Sequence, residues 1–193
     1  LEPLGPSTGL DLSTTALDFC RERGLTRLVQ GRGEALPFAA ASFSTVSAFG
    51  VVEHIAADAQ AVAEWARVLE PGGQLVLLTS AYRWLWSGHD VSNHHARRYR
   101  TGEVDRFLTD AGLTRDRTSY INCFLFPPIL AIRLLERLAR RGRPPAPHKN
   151  TAVVPDTLNR LLVRLLAVEG WFVRRRGLPF GVSILARATK PLG

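Results

Sequence analysis

Apolar and polar positions alternate between residues 43 and 80 in a pattern typical of a strand, a helix and a second strand. Phe43 to Phe49 is a short apolar, β-branched run, and Gln74 to Thr79 is another, so both are predicted to be strands. Asp58 to Leu69 carries apolar residues at helical spacing, with Asp58 as the expected N-cap. Pro71-Gly72-Gly73 interrupts the chain before the second strand. These lengths predict a right-handed βαβ unit with parallel strands.

Further elements lie on both sides of this unit. A strand stub at residues 9–12 precedes a helix from Thr14 to Arg23 that Ser13 should cap, and Arg27 to Gln30 reads as the next strand. On the helix at residues 58–69, Glu64 and Arg67 are expected to face solvent. The elements predicted after the unit are a helix over 103–111 capped by Thr101, strands over 113–122 and 180–189, and helices over 129–141 and 155–176.

Composition and charge narrow the class of protein. The 193 residues are 46% hydrophobic, which is enough for one core, so we expect a single domain. Cys20 and Cys123 have no paired spacing, and the sequence has no apolar run long enough to span a bilayer. We therefore expect a cytoplasmic protein. The net charge of +8 would favour an anionic partner if it were clustered, and arginines do cluster at 133–143 and 174–176.

Three short sequences in the central unit carry a family resemblance. Phe-Ser-x-Val at 43–46, Val-Val-Glu-His at 51–54 and Arg-Val-Leu-x-Pro-Gly-Gly at 67–73 together resemble strands four and five of class I S-adenosylmethionine-dependent methyltransferases. The resemblance implies an α/β fold, a Rossmann-like doubly wound sheet that is mostly parallel and ends in an antiparallel strand. On this view residues 1–122 and 178–193 form the core sheet, and 123–177 form an inserted helical lid. The implied reaction moves a methyl group from S-adenosyl-L-methionine to an oxygen or nitrogen of a small or lipid-linked acceptor.

The strand ends suggest where a cofactor would bind. An acid after the second strand, here Asp11, accepts hydrogen bonds from ribose hydroxyls in such folds. The family usually has another acid where Arg32 stands, so Glu34 is either a substitute acceptor or a solvated loop acid. The resemblance also implies a first strand and a glycine-rich turn before Asp11, which residues 1–8 do not supply, so we expect an N-terminal truncation. The cofactor-binding residues predicted in this way are Asp11, Leu12, Gly33, Glu34, Ala35 and Gly50.

Residues 81–99, here called the site loop, mix aromatic, imidazole and guanidinium groups at the predicted mouth of the site. They resemble a methyltransferase subgroup with Trp-Ser-x-His-Asp and His-x-Arg-Arg-Tyr sequences. The loop and its neighbours should bind substrate, through Glu53, Tyr82, Trp86, Arg97, Arg98 and Tyr99. The candidate catalytic residues are His54, His89, Asp90 and His95.

The histidines and the aspartate of the site loop allow three interpretations. In the first, these side chains act as general acid and base. In the second, two histidines and one carboxylate bind a metal ion. In the third, the side chains order the loop by hydrogen bonds. We predict no metal. Arg97 and Arg98 bind a phosphate or carboxylate of the substrate, or one of them pairs with Asp90 instead.

The two helices after residue 123 also allow alternatives. The first has an apolar face with arginines along its margins, which suits peripheral membrane contact through residues 124–149 at the inner membrane face. The other alternative is a lid packed on the leucines of the second helix. Nucleic acid is not an expected partner, and the oligomeric state stays open. Two competing functions are a non-catalytic fragment or pseudoenzyme that binds membranes or proteins, and a nicotinamide-dependent oxidoreductase.

Overall fold

The computed structural model describes residues 5–147 and 155–192. Helices pack around strands that form a parallel pair and a four-stranded mixed sheet. The strands are β1 (Gly9–Asp11), β2 (Leu28–Gln30), β3 (Phe43–Phe49), β4 (Leu69–Ser80), β5 (Thr114–Ile121) and β6 (Ser183–Thr189). The helices are α1 (Thr14–Glu22), α2 (Asp58–Val68), α3 (Gly88–Ser92), α4 (Thr101–Asp110), α5 (Phe126–Arg140) and α6 (Asp156–Arg175), with single 3₁₀ turns at Val52–His54 and Arg83–Leu85.

The strand order confirms the predicted Rossmann-like fold. β1 and β2 pair in parallel, and so do β3 and β4. The last strand, β6, lies between β4 and β5 and runs antiparallel to both. Since Asp11 pairs with Gln30 and Phe49 pairs with Leu78, the carboxyl ends within each parallel pair lie side by side. Ligands bind beyond these ends in open parallel sheets, so the structure places the candidate site there.

Helix α2 forms the contact layer over the central strands. Its side chains Val62, Trp65 and Ala66 are buried with Leu75 and Leu77 of β4 in one apolar cluster. Burying each large apolar side chain contributes roughly 1.5–3 kcal/mol. The helix therefore fixes the position of the residues that precede and follow it.

Two predicted caps are each wrong by one residue. Asp58 is the first residue of α2 and Ala57 is its N-cap, because the Asp58 carboxylate is bound by other residues. Thr101 is likewise the first residue of α4, and Arg100 is the N-cap. The Glu103 carboxylate accepts a hydrogen bond from the Arg100 amide at 2.9 Å and satisfies the start of that helix.

The turn between α2 and the body of β4 requires glycine. Gly72 has a φ of +80°, which is strained for other residues. A Cβ on Gly73 would lie 2.8 Å from the Glu70 carbonyl oxygen. The two glycines thus allow the chain to turn tightly into the sheet.

Glu64 and Arg67 do not face open solvent as the sequence suggested. They pair with each other and hold the segment between β2 and β3: the Leu36 amide donates to Glu64, and Arg67 donates to the Phe38 carbonyl. The pair thereby fixes the loop that follows β2 against α2.

Helices α5 and α6 lie between β5 and β6 in the chain. One side of α6 is buried at Glu169 and Val173, whereas α5 has no fully buried residue. On α6, Leu158, Leu161 and Leu166 remain 40–52% exposed. The apolar faces of the two helices are therefore not buried against each other, and the predicted packing of α5 on α6 is not found. None of the described helices is both long and apolar enough to cross a membrane.

Candidate functional site

The end of β1 presents an exposed carboxylate. The Ser13 amide donates to Asp11 Oδ1 at 2.8 Å, and the Ser13 hydroxyl caps α1 by accepting from the Ala16 amide. The Gly31 amide donates to the Asp11 carbonyl at 3.1 Å, so the chain after β2 lies beside Asp11. The local turn thus orients the carboxylate through one oxygen and leaves acceptor capacity for a ligand.

The loop after β2 is held on α2 through main-chain carbonyls. The Trp65 indole N–H donates to the Gly33 carbonyl at 3.0 Å, and the Gln60 amide donates to the Glu34 carbonyl at 3.1 Å. Arg32 Nε donates to the Glu34 carboxylate at 2.8 Å. A backbone hydrogen bond and then the Arg32 contact lower the pKa of Glu34, so this side chain stays an ionised acceptor.

The end of β3 leaves room for close approach by a ligand. Gly50 has a φ of +66°, its amide donates to the Leu78 carbonyl at 2.9 Å, and no atom lies within 4 Å of where a Cβ would be. Leu12 is 62% exposed after β1. These features fit a nucleoside cofactor. The Asp11 carboxylate suits the ribose hydroxyls, and the ionised Glu34 suits the adenine amino group. Exposed Leu12 suits the adenine ring, and Gly50 leaves space for the cofactor to approach the backbone.

Glu53 is buried and both of its carboxylate oxygens are bound inside the protein, which does not fit the predicted substrate contact. Its carboxylate accepts hydrogen bonds from the Thr79 hydroxyl at 2.9 Å and the Ser80 hydroxyl at 3.1 Å. Its carbonyl accepts from the Ala96 amide at 2.6 Å. Glu53 therefore ties the site loop to the end of β4, and this geometry gives it a positioning role.

Asp90 is also fully buried and bound on both oxygens. The Ser87 amide donates to Oδ2 at 2.8 Å, Arg98 Nε donates to Oδ1 at 2.6 Å, and His95 Nδ1 lies 2.9 Å from Oδ1. Burial alone would raise the pKa of Asp90, but the contacts with Arg98, His95 and Ser87 outweigh it and lower the pKa. The ionised carboxylate orders the loop and does not reach a substrate directly.

A second buried anion holds the end of the site loop. Arg97 Nε donates to Asp58 Oδ2 at 2.6 Å, and the Tyr99 hydroxyl donates to the same oxygen at 2.9 Å. Burial raises the pKa of Tyr99, which keeps the hydroxyl protonated as a donor. The two predicted anion-binding arginines are therefore both paired inside the protein, Arg97 with Asp58 and Arg98 with Asp90. Sequence reasoning missed this role of Asp58, whose position at a helix start was its only signal.

Three of the predicted catalytic residues form a histidine cluster. The His95 and His54 rings are perpendicular with centroids 4.7 Å apart, and His89 lies 6.2 Å from His95. Burial, and then the positive charges of Arg98 and Arg133, lower the pKa of His89 despite the opposing charge of Asp90. Because the ionised Asp90 carboxylate can only accept hydrogen bonds, the Nδ1 of His95 is the donor in their contact. Among the described residues, no group of three histidine, cysteine or acidic side chains is arranged to hold a metal ion.

A cleft of about 320 Å³ adjoins this cluster, lined by Arg83, Trp86, Ala96, Arg97 and Arg98. A larger cavity of about 600 Å³ lies between residues 5–9 and 25–28, at the amino ends of β1 and β2. Because ligands of parallel sheets bind at the opposite ends, the smaller cleft is the candidate acceptor site.

Aromatic rings border the site loop next to β5. Tyr82 stacks on Tyr120 at 4.8 Å and on Trp84 at 5.1 Å, and Phe126 contacts both Tyr82 and Trp84. Phe126 begins α5, so this aromatic cluster joins the inserted helices to the site loop.

The fold and the comparisons with known proteins support an S-adenosylmethionine-dependent methyltransferase. Residues 2–77, less than half of the chain, match a family model described as a methyltransferase domain. S-adenosyl-L-methionine is accordingly its cofactor. No curated protein sequence matches the chain.

Solved structures share the fold at low sequence identity. A methyltransferase of Haloferax volcanii, in complex with the Trm112 methyltransferase activator, is 19% identical with a TM-score of 0.60, covering 97% of this chain and 72% of that one. A methyltransferase of Bacillus halodurans is 21% identical with a TM-score of 0.55, covering 94% and 81%. Phosphoethanolamine N-methyltransferase 2 of Haemonchus contortus, in complex with S-adenosyl-L-methionine, is 16% identical with a TM-score of 0.56, covering 95% and 43%.

Proposed function

We propose that the protein methylates an oxygen or nitrogen of a small or lipid-linked acceptor, and that His95 is the general base. The observation that carries this proposal is the contact between His95 Nδ1 and the buried Asp90 carboxylate. Asp90 holds the ring in one tautomer, as a carboxylate does for a catalytic histidine, and so directs an unprotonated Nε2 away from itself. A hydroxyl or ammonium acceptor must lose a proton on methylation, and Nε2 can take it.

The cofactor supplies an electrophilic methyl group on a sulfonium. Asp11 would accept from its ribose hydroxyls, the loop from Gly33 to Ala35 would contact its adenine with Glu34 as acceptor, and Leu12 and Gly50 would line its path. The three histidines of the cluster follow these residues in the sequence. The reaction then depends mainly on positioning and on exclusion of water, with one proton moved at His95.

Trp86 and the paired guanidinium groups of Arg97 and Arg98 would shape the acceptor cleft. Because both arginines are already neutralised by Asp58 and Asp90, the cleft does not demand an anionic acceptor. His54 and His89 would flank the base and modulate its surroundings through ring contacts.

The cofactor assignment is tested by calorimetric titration of the purified chain with S-adenosylhomocysteine. We expect saturable binding that Asp11→Asn weakens about tenfold or more, since one charged hydrogen bond contributes roughly 1.5–3 kcal/mol. Asp18→Asn, an exposed acid on α1, is the matched control and should bind normally. Absence of binding by the wild type would overturn the proposal.

The base is tested with tritiated S-adenosylmethionine and a panel of phenols, primary amines and carboxylic acids. Replacing His95 with Gln should slow transfer to a proton-bearing acceptor by about 10²- to 10⁴-fold without changing cofactor affinity. The neighbouring His94→Gln is the control. An acceptor-independent readout is ¹⁵N NMR of the imidazoles, which should show His95 protonated at Nδ1 and bare at Nε2. The opposite tautomer, or an unchanged rate in H95Q, would refute the role of His95.

A further inference from the structure

Helix α5 is oriented against its own amphipathicity. Arg133 and Glu136 lie on the side that faces the protein, with side-chain exposures of 15% and 29%. In the second half of the helix, large apolar side chains point outward instead: Ile132, Leu134, Leu135 and Leu138 are 50–74% exposed, whereas Ile129 and Leu130 nearer its start are half-buried. A helix that only covered the site would turn its leucines toward the protein and its charged residues toward solvent, because burial of leucine stabilises helix packing. The outward leucines therefore call for a partner outside the described residues.

The charge around these leucines is strongly positive. Among the described residues, the only ion pair within α5 and the segment after it joins Arg133 to Glu136. Arg137 and Arg140 donate to backbone carbonyls, of Trp84 and Glu136 respectively. Arg141 and Arg143 follow the helix with no carboxylate partner among the described residues. The segment thus combines exposed leucine with uncompensated guanidinium groups.

We propose that Ile132, Leu134, Leu135 and Leu138, with Arg137, Arg141 and Arg143, form a docking surface for an anionic lipid bilayer. The leucines would enter the acyl boundary while the arginines meet lipid phosphates, the arrangement found for interfacial helices. This binding needs no methyl transfer, so it stands independently of the reaction.

Charge complementarity separates the bilayer from other occupants. A second copy of the chain would bring the same arginines against this surface and repel it. A nucleic acid would neutralise the arginines but leave Leu135 and Leu138 in water. An anionic bilayer suits both the arginines and the leucines, since its phosphates and its hydrocarbon lie within one side-chain length of each other.

The docking surface is connected to the candidate site. Arg137 donates to the Trp84 carbonyl in the site loop, and Phe126 at the start of α5 contacts Trp84 and Tyr82. A bilayer bound by α5 would therefore lie next to the rim of the acceptor cleft.

The test is co-sedimentation of the full chain, without cofactor, with vesicles of phosphatidylcholine alone or mixed with phosphatidylglycerol, at low and high salt. We expect binding to the anionic vesicles that high salt weakens. Arg141→Gln combined with Arg143→Gln should weaken it about 30-fold, and Leu135→Gln combined with Leu138→Gln by about 100-fold. Phe19→Gln is the matched control, because Phe19 is 59% exposed on α1, outside the docking surface.

Three results would overturn the proposal. The first is no binding to anionic vesicles at low salt, and the second is equal binding by the double leucine variant. The third is a wild type that does not bind vesicles and elutes as a dimer in gel filtration, together with a double leucine variant that elutes as a monomer. That result would assign the surface to a second copy of the chain. Far-ultraviolet circular dichroism of each variant checks that the fold is retained.

Discussion

Single carboxylates hold the candidate site in place. Asp58 and Asp90 each bind an arginine and a second donor from the site loop, and both are buried. A buried anion is costly unless its partners satisfy it, so each aspartate and its partners depend on one another. The position of His95, the proposed base, therefore depends on the buried carboxylate of Asp90 and on its other partner, Arg98.

Asp58 offers the clearest test at this scale. Replacing Asp58 with Ala leaves Arg97 without its carboxylate partner and the Tyr99 hydroxyl with only the Val52 carbonyl as acceptor, so we expect the free energy of unfolding to fall by about 3 kcal/mol. Urea denaturation measures this loss. Asp18→Ala removes an exposed ion pair with Arg21 and should cost about 0–1 kcal/mol. Equal losses in the two variants would contradict the role assigned to Asp58.

The sequence predicts residue chemistry better than residue partners. Ser13 was predicted as a helix cap and is one, because a cap bonds within three residues. Asp58 was predicted as a cap too, but an arginine 39 positions later binds its carboxylate. Glu64 and Arg67 were placed in solvent, yet they hold a loop about 30 residues away. Local spacing carries no information about such distant partners.

At the scale of elements, the close contact between the ends of β5 and β6 has a testable cost. A Cβ on Gly181 would lie 2.1 Å from the Ile121 carbonyl oxygen, which is backbone and cannot turn away. We expect Gly181→Ala to lower the free energy of unfolding by about 2 kcal/mol.

The control for this substitution lies on α4. Gly102 has no atom within 4 Å of its Cβ position and sits in the first turn of the helix. Gly102→Ala should raise stability by about 0.4–1 kcal/mol. Urea denaturation of both variants measures these changes. An unchanged free energy of unfolding in Gly181→Ala would show that the backbone relaxes around the added Cβ and would contradict the prediction.

Regular elements were the most predictable part of the fold. The bounds of β3 were predicted to the residue, and α1, α2 and α6 to within one residue, since periodicity and glycine signals are local. The orientation of α5 was not predictable, because amphipathicity shows which face is apolar but not which way it points. The sequence did offer the pairing of Asp90 with Arg97 or Arg98, and Arg98 is the partner, but the sharing of the same carboxylate with His95 needed the fold.

At the scale of the whole molecule, stability should depend on pH through His89. The pKa of His89 lies below its ordinary 6.5 in the folded chain, because burial and the charges of Arg98 and Arg133 oppose protonation more than the charge of Asp90 favours it. The unfolded chain then takes up the proton first, so stability falls as the pH drops below 6.5.

Asp90 adds a second loss at lower pH. Its pKa is below the ordinary 3.8, so its stabilisation is present above 3.8 and disappears as the pH falls further through the folded-state value. Denaturant titrations over a pH series should show both losses in the wild type. His89→Gln should lack the one that begins at 6.5, and identical curves for the two proteins would contradict this assignment.

Asp90 also links catalysis to local folding. One carboxylate caps α3, pairs with Arg98 and aligns His95, so loss of Asp90 would remove all three contacts at once. When the site loop opens transiently, as surface segments of proteins do, the histidine loses its alignment together with the helix. If His95 is the base as proposed, the fraction of molecules competent for proton transfer is set by the opening equilibrium of this loop, and activity should fall on warming before the sheet unfolds.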